Sequence, residues 1–266
     1  MNLSKRKRAD FLVLVAYLSV AFVVAYFVPI DRVVSLIVFF GLPSLYLVIR
    51  YWRIHKHAFW FSLLYGTLTG LPFQAMAELN NIWKYDVFLD WLHIGGVPLD
   101  AVAWYIFWVG FTVTIYRVFF DTHTPHREKA FWKHHRKILL LAGGIIAATS
   151  FLLAYAPDFF ILPHPYIIFA TLFLLLPAAL ILVTHPPLLR EVLKSAVFFT
   201  LFAVAYEVIG LRSGWWSYPG EFIGHATLLG VSIPYEEIVL WILLGSLAVV
   251  TIFEEFEMHE QEHRHS

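Results

Sequence analysis

Long apolar runs, broken by short polar segments, dominate the chain. A helix needs about 20 mostly apolar residues to cross a bilayer. On that measure the pattern predicts eight spans, at roughly 11–29, 33–50, 58–77, 99–120, 137–156, 165–184, 190–211 and 234–253. The alternating segments of about ten residues that mark a membrane β-barrel are not found along the chain. Inside a bilayer every backbone polar group needs a partner within the protein. The expected fold is therefore an all-α integral membrane bundle of about eight transmembrane helices. The basic opening "MNLSKRKRAD" and the apolar stretch after it have the outline of a signal peptide. That stretch is too long for one and lacks a small-residue cleavage site, so it is read as the first span.

The polar breaks carry an uneven charge. With eight spans both termini share one side, and sixteen of the nineteen Lys and Arg residues fall there. Only Arg32, Lys84 and Arg212 fall on the other side. The positive-inside rule then places both termini in the cytoplasm, as a multi-pass protein of the cell membrane. Composition agrees, with 60% of residues hydrophobic and 14% charged, against about half and a quarter in a soluble domain. Net charge is zero with histidine neutral, which argues against nucleic acid as a partner. There is no cysteine, which excludes disulfides, cysteine-bound zinc, iron–sulfur clusters and thiol nucleophiles.

Two stretches, 77–108 and 206–241, share an order of residues. Each opens on a glutamate at the end of a span, Glu78 or Glu207, and continues with a Trp-x-Tyr, Trp83/Tyr85 or Trp216/Tyr218. A loop and a glycine-containing turn lead to a proline, Pro98 or Pro234. Two residues later comes an acid, Asp100 or Glu236, and a tryptophan closes each stretch, Trp104 or Trp241. Four spans per half give both copies the same orientation. The chain is therefore expected to hold two parallel four-helix pseudo-repeats, 1–130 and 131–266, the second ending in a short acidic, histidine-rich cytoplasmic tail. Both motif loops then lie on the extracytoplasmic face, where a pseudo-twofold axis brings the acids together.

These acids invite chemistry. Proline suits the first position of a helix, and a carboxylate two residues on sits in the first turn, beside the positive end of the dipole. Adjacent Glu236 and Glu237 point about 100° apart on a helix and meet different surroundings. Such a pair can divide into one neutral acid and one anion, which keeps a proton donor available at neutral pH. The plain alternative for "PYEE" is a helix start with solvated glutamates. For the Trp and Tyr residues it is the interfacial aromatic belt, although beside acids the same rings stabilise a cation. His123, His126, His134 and His135 do not reproduce the clusters of membrane di-iron oxygenases, and five Lys/Arg in 121–137 favour a loop facing headgroups. No metal site is expected. No lysine lies in a span core, which excludes a retinal Schiff base.

The stretch "SGWWSYPGEFIGHATLLGVSIPYEE" (213–237) resembles the lycopene cyclase domain of heterodimeric and fused carotenoid cyclases. There a Trp-x-Tyr and a glycine-bearing stretch lead to a Pro-x-Glu-Glu that opens a span. "GGVPLDAVAWYIFW" (95–108) is similar to the related integral-membrane carotenoid hydratases. In cyclases both repeats tend to end in Pro-x-Glu-Glu, whereas here the first ends in "PLDA". The resemblance covers under a third of the chain. It implies a non-redox enzyme without a cofactor, acting in the bilayer on a hydrophobic carotenoid or other isoprenoid. A carboxylic acid protonates a terminal double bond, the neighbouring double bond attacks the tertiary cation, and a proton is lost. A hydratase captures the same cation with water. The resemblance implies Glu237 or Glu236 as proton donor, with Glu207, Glu78 and Asp100 tuning or relaying. Trp83, Tyr85, Trp104, Trp216, Tyr218 and Trp241 would bind the substrate and shape the cation pocket. The alternative of another class is a carrier or binding protein for a polyisoprenoid lipid, with the acids forming a proton-coupled site. Oligomeric state is not fixed by the sequence.

Overall fold

The structure, a computed structural model, describes residues 4–51, 55–85, 87, 91–94, 97–121, 140, 143, 144, 147, 148 and 150–263. It is mostly helical. In chain order the long helices are α1 (Lys5–Phe27), α2 (Arg32–Arg50), α3 (His55–Leu79), α4 (Leu99–Phe120), α5 (Pro165–Thr184), α6 (Pro186–Arg212) and α7 (Glu237–Phe256). All but α3 are long and apolar enough to cross a membrane, which makes six such helices among the described residues rather than eight. The polar residues Thr67, Thr69, Gln74 and Glu78 keep α3 from reaching the same apolarity. The expected span 137–156 falls partly outside the described residues, although 150–155 are helical. The 130/131 boundary, His123, His126, His134 and His135 also lie outside them. The chain is an α-helical membrane protein.

Helix starts follow ordinary capping chemistry. The Ser4 hydroxyl accepts from the Lys7 N–H, and Asp31 accepts from the Val33 N–H at 2.7 Å. Small residues set the closest helix pair. A Cβ on Gly66 would lie 2.7 Å from Ile106 Cα, and one on Gly70 would lie 2.8 Å from the Tyr105 ring. The "GTLTG" of α3 therefore lets α4 approach backbone to backbone, the small-xxx-small device of membrane helices. Among the described residues four π-helical segments interrupt the α-helices, the longest of them Glu237–Gly245 at the start of α7.

Near the N-terminal end of α1 one carboxylate ties two helices together. Asp10 is buried and accepts from Tyr46 Oη at 2.7 Å, Arg50 Nη2 at 2.8 Å and Tyr51 Oη at 2.6 Å. Burial, then the bond to Asp10, pushes the Tyr51 hydroxyl up to about 12, so it remains a donor across the neutral range. Replacing Asp10 by Ala leaves three donors without their acceptor. The expected outcome is a thermal midpoint lower by on the order of 5 °C in detergent, read by loss of the folded protein's peak on size exclusion; an unchanged midpoint would show the cluster to be ornamental.

The opposite ends of α3, α4, α6 and α7 carry short strands where the sequence pattern placed loops. These are β1 (Lys84–Tyr85), β2 (His93–Ile94), β3 (Val97–Pro98), β4 (Trp216–Ser217), β5 (His225–Leu228) and β6 (Val231–Pro234). β2 pairs with β3 and β5 with β6, each antiparallel, and the two registers match His93 with Pro98 and His225 with Pro234. The β5–β6 turn is Leu229–Gly230, both at positive φ (48° and 84°), as a two-residue hairpin turn requires. β1 pairs with β4 across the two halves of the chain, Lys84 opposite Ser217 and Tyr85 opposite Trp216.

Candidate functional site

α3 and α6 end in the same way. Asn81 (φ 53°) and Gly214 (φ 71°) adopt the left-handed conformation. The next N–H, of Ile82 or Trp215, reaches back to Ala77 O or Gly210 O at 2.9 Å, the bonding of a Schellman cap. This reversal turns the following tryptophan back onto its own helix. Trp83 Nε1 donates to Gln74 Oε1 at 3.2 Å, and Trp216 Nε1 donates to Glu207 Oε1 at 2.5 Å. Each acceptor lies nine residues before its tryptophan. By geometry the counterpart of Glu207 is thus Gln74, one helical turn before the Glu78 that the sequence comparison aligned with it.

The cavity between these helix ends has a volume of about 80 Å³. Its acidic side is built from α6 and α7. Glu207 and Glu237, 5% and 6% exposed, both line it. The Tyr218 hydroxyl donates to Glu207 Oε1 at 2.6 Å and also interacts with Glu237. Tyr166, in the first turn of α5, donates to Glu237 Oε2 at 2.5 Å. Burial, then the charges of Glu207 and Glu237, hold the Tyr218 hydroxyl well above the usual phenol range, so it stays protonated and donates. Two carboxyl groups therefore share one small space with two fixed phenol donors.

The aromatic wall comes from α4 and α7. Trp241 follows Glu237 by four residues, nearly one turn of the π-helical segment, so both face the cavity. Trp241 stacks on Trp108 (4.9 Å, 18°) and Trp104 (6.4 Å, 21°) and meets Tyr105 edge-on at 5.5 Å. Trp83 meets the Tyr166 ring edge-on at 5.8 Å. All six aromatic residues named from the sequence line this cavity: Trp83, Tyr85, Trp104, Trp216, Tyr218 and Trp241.

The five acids named from the sequence separate. Glu207 and Glu237 meet in the cavity. Glu236 is buried but turns away, accepting the Ile223 N–H at 2.5 Å and so pinning the motif loop to the start of α7. Asp100 forms an ion pair with Arg32 at 3.1 Å. Arg32 also lies over the Tyr85 ring at 4.6 Å and lines the cavity. Glu78 is exposed and accepts from Gln74 Nε2 at 3.0 Å. The sequence comparison missed Tyr166, Gln74, Tyr105 and Arg32. Counting nine residues back from each Trp-x-Tyr would have found Gln74, whereas no motif marks Tyr166. Among the described residues no group of three or more His, Asp or Glu is placed to hold a metal ion.

The arrangement can deliver a proton into an apolar, aromatic space and take one back. Its volume is well below the roughly 300–1,000 Å³ of sites that enclose a whole small molecule, so it fits the end of a chain. The chain matches no family model, no curated protein and no solved structure.

Proposed function

We propose that the protein is a membrane enzyme that protonates a terminal double bond of an acyclic, carotenoid-like isoprenoid and closes a ring on the resulting cation. The observation that carries this reading is the pair of buried carboxyl groups, Glu207 and Glu237, in one cavity walled by tryptophans. Glu237 is assigned the donor, because of the adjacent pair it alone faces the cavity. The carboxyl O–H breaks as a C–H bond forms, leaving a tertiary carbocation. The neighbouring double bond supplies its π pair to a new C–C bond, and the displaced cation loses a proton to a carboxylate. Substrate and product are isomers, and the proton count of the site is restored. The faces of Trp104, Trp216 and Trp241 supply attraction to the cation, worth about 2 kcal/mol or more per contact when desolvated.

Water capture of the same cation, giving a tertiary alcohol, is the second reading. It is favoured by the polar groups of Gln74 and Arg32 on the cavity wall. Eight spans in two parallel repeats belong to the same proposal, with α3 and the helical stretch around 150–155 as the remaining two. It is supported by the matched caps, the matched Trp bonds and the matched hairpin registers. The uneven basic charge supports both termini in the cytoplasm, in the cell membrane.

The direct test is expression in lycopene-accumulating cells followed by chromatography of the pigments. Ring-bearing products are expected, and hydroxylated acyclic products would move the assignment to the second reading. Unchanged lycopene beside folded membrane-inserted protein would overturn the carotenoid reading. A lipid carrier, the competing class, binds the chain and returns it unaltered.

A further inference from the structure

The proton chemistry leaves Gln74 unused. The residue is 2% exposed and lines the cavity. Both ends of the amide are fixed by their partners. An indole N–H can only donate, so the atom facing Trp83 Nε1 at 3.2 Å must be Oε1. Nε2 is thereby left to donate to Glu78 Oε1 at 3.0 Å. An amide nitrogen carries two hydrogens, and the second meets no acceptor among the described residues. A buried N–H without a partner is costly, and a hydrocarbon chain offers it none.

The space beside it is large enough for an acceptor. The cavity of about 80 Å³ exceeds the roughly 10–15 Å³ that one water needs. The position is also informative: Gln74 stands on α3 where Glu207 stands on α6, each held by a tryptophan nine residues later. One side of the cavity therefore presents an acid and the matching side a neutral donor.

We propose that Gln74 is a specificity-determining residue that holds an oxygen atom in the cavity: water before reaction, and the hydroxyl of the product when that water captures the cation. The inference rests on the proton-initiated reading of the site. In the capture step a lone pair of the held water forms the C–O bond, and the oxonium gives its extra proton to the carboxylate left by protonation. The sum is addition of one water across the double bond. Gln74 thus sets how much of the cation ends as alcohol and how much as ring.

The test compares two acyclic terpenes of equal chain length, a hydrocarbon and its terminal tertiary alcohol. Binding to the purified full chain is read by quenching of tryptophan fluorescence, which the cavity walls supply. Wild type is expected to bind the alcohol about tenfold more tightly than the hydrocarbon, and Gln74→Met to lose most of that preference. Glu78→Ala, which frees the amide without removing it, is expected to give an intermediate preference, and it serves if Gln74→Met fails to fold. In cells making lycopene, the ratio of alcohol to ring products should fall in Gln74→Met. No preference in wild type, or an unchanged preference in both variants, overturns the proposal. Preference without any turnover overturns the enzymatic reading and with it the capture step, leaving Gln74 as a binder of the hydroxyl; turnover without preference overturns this inference alone, and binding of neither terpene overturns both.

Discussion

Glu237→Gln is expected to lower product formation at least about 100-fold, the lower end of what a positioned acid contributes. The amide keeps the size of the carboxyl and can still accept from Tyr166, whose hydroxyl lies 2.5 Å from Oε2. It has no proton to give to an alkene. Glu236→Gln makes the same chemical change one residue away, at a side chain that holds the Ile223 N–H instead of facing the cavity. Its amide oxygen can keep that bond, so activity should stay within a few-fold of wild type. Initial rates in membranes holding equal amounts of folded protein compare the two. Equal losses in both variants, or a fully active Glu237→Gln, would remove Glu237 as the donor.

Gly210→Ala should damage the site from behind. A Cβ there would lie 2.0 Å from Trp216 Cζ2 and 2.1 Å from Cη2, well inside contact distance. The indole cannot shrink, so it must swing out, and its N–H then leaves Glu207 Oε1. Overpacking of this kind costs about 1–3 kcal/mol, and loss of the carboxyl's orientation adds a fall in activity of about tenfold or more. The matching position in α3 is already an alanine, Ala77, so the clash belongs to the way Trp216 sits. Gly144→Ala is the control, since a Cβ there meets nothing within 4 Å. A stable and active Gly210→Ala protein would show that the indole has another place to go.

The sequence pattern located most of the long helices because apolar length is a direct physical requirement of crossing a bilayer. The expected span at 99–120 matches α4, and that at 165–184 matches α5. The cavity's aromatic residues were equally legible, since Trp-x-Tyr and the tryptophan after each proline occur in both halves. The acids were harder. Spacing cannot say which of Glu236 and Glu237 turns inward, because that depends on a π-helical start to α7 and on a loop N–H seeking an acceptor. Glu78 drew attention as a glutamate, yet the geometry reads the helix turn before it, where the residue is an amide. Asp100 resembled a second acid until Arg32, 68 positions earlier in the chain, paired with it. Long-range partners of this kind leave no local trace.

The pairing of β1 with β4 also fixes when the cavity comes into being. Lys84 and Ser217 face each other across 133 positions of chain, which a ribosome working at roughly 5–20 residues per second covers in about 7–27 s. For most of that interval the nascent chain holds Gln74, Trp83, Tyr85 and Trp104 and lacks both of the cavity's acids, Glu207 and Glu237. The cavity's two carboxyl groups therefore join its aromatic wall only as α6 and α7 are made and the two strand edges close.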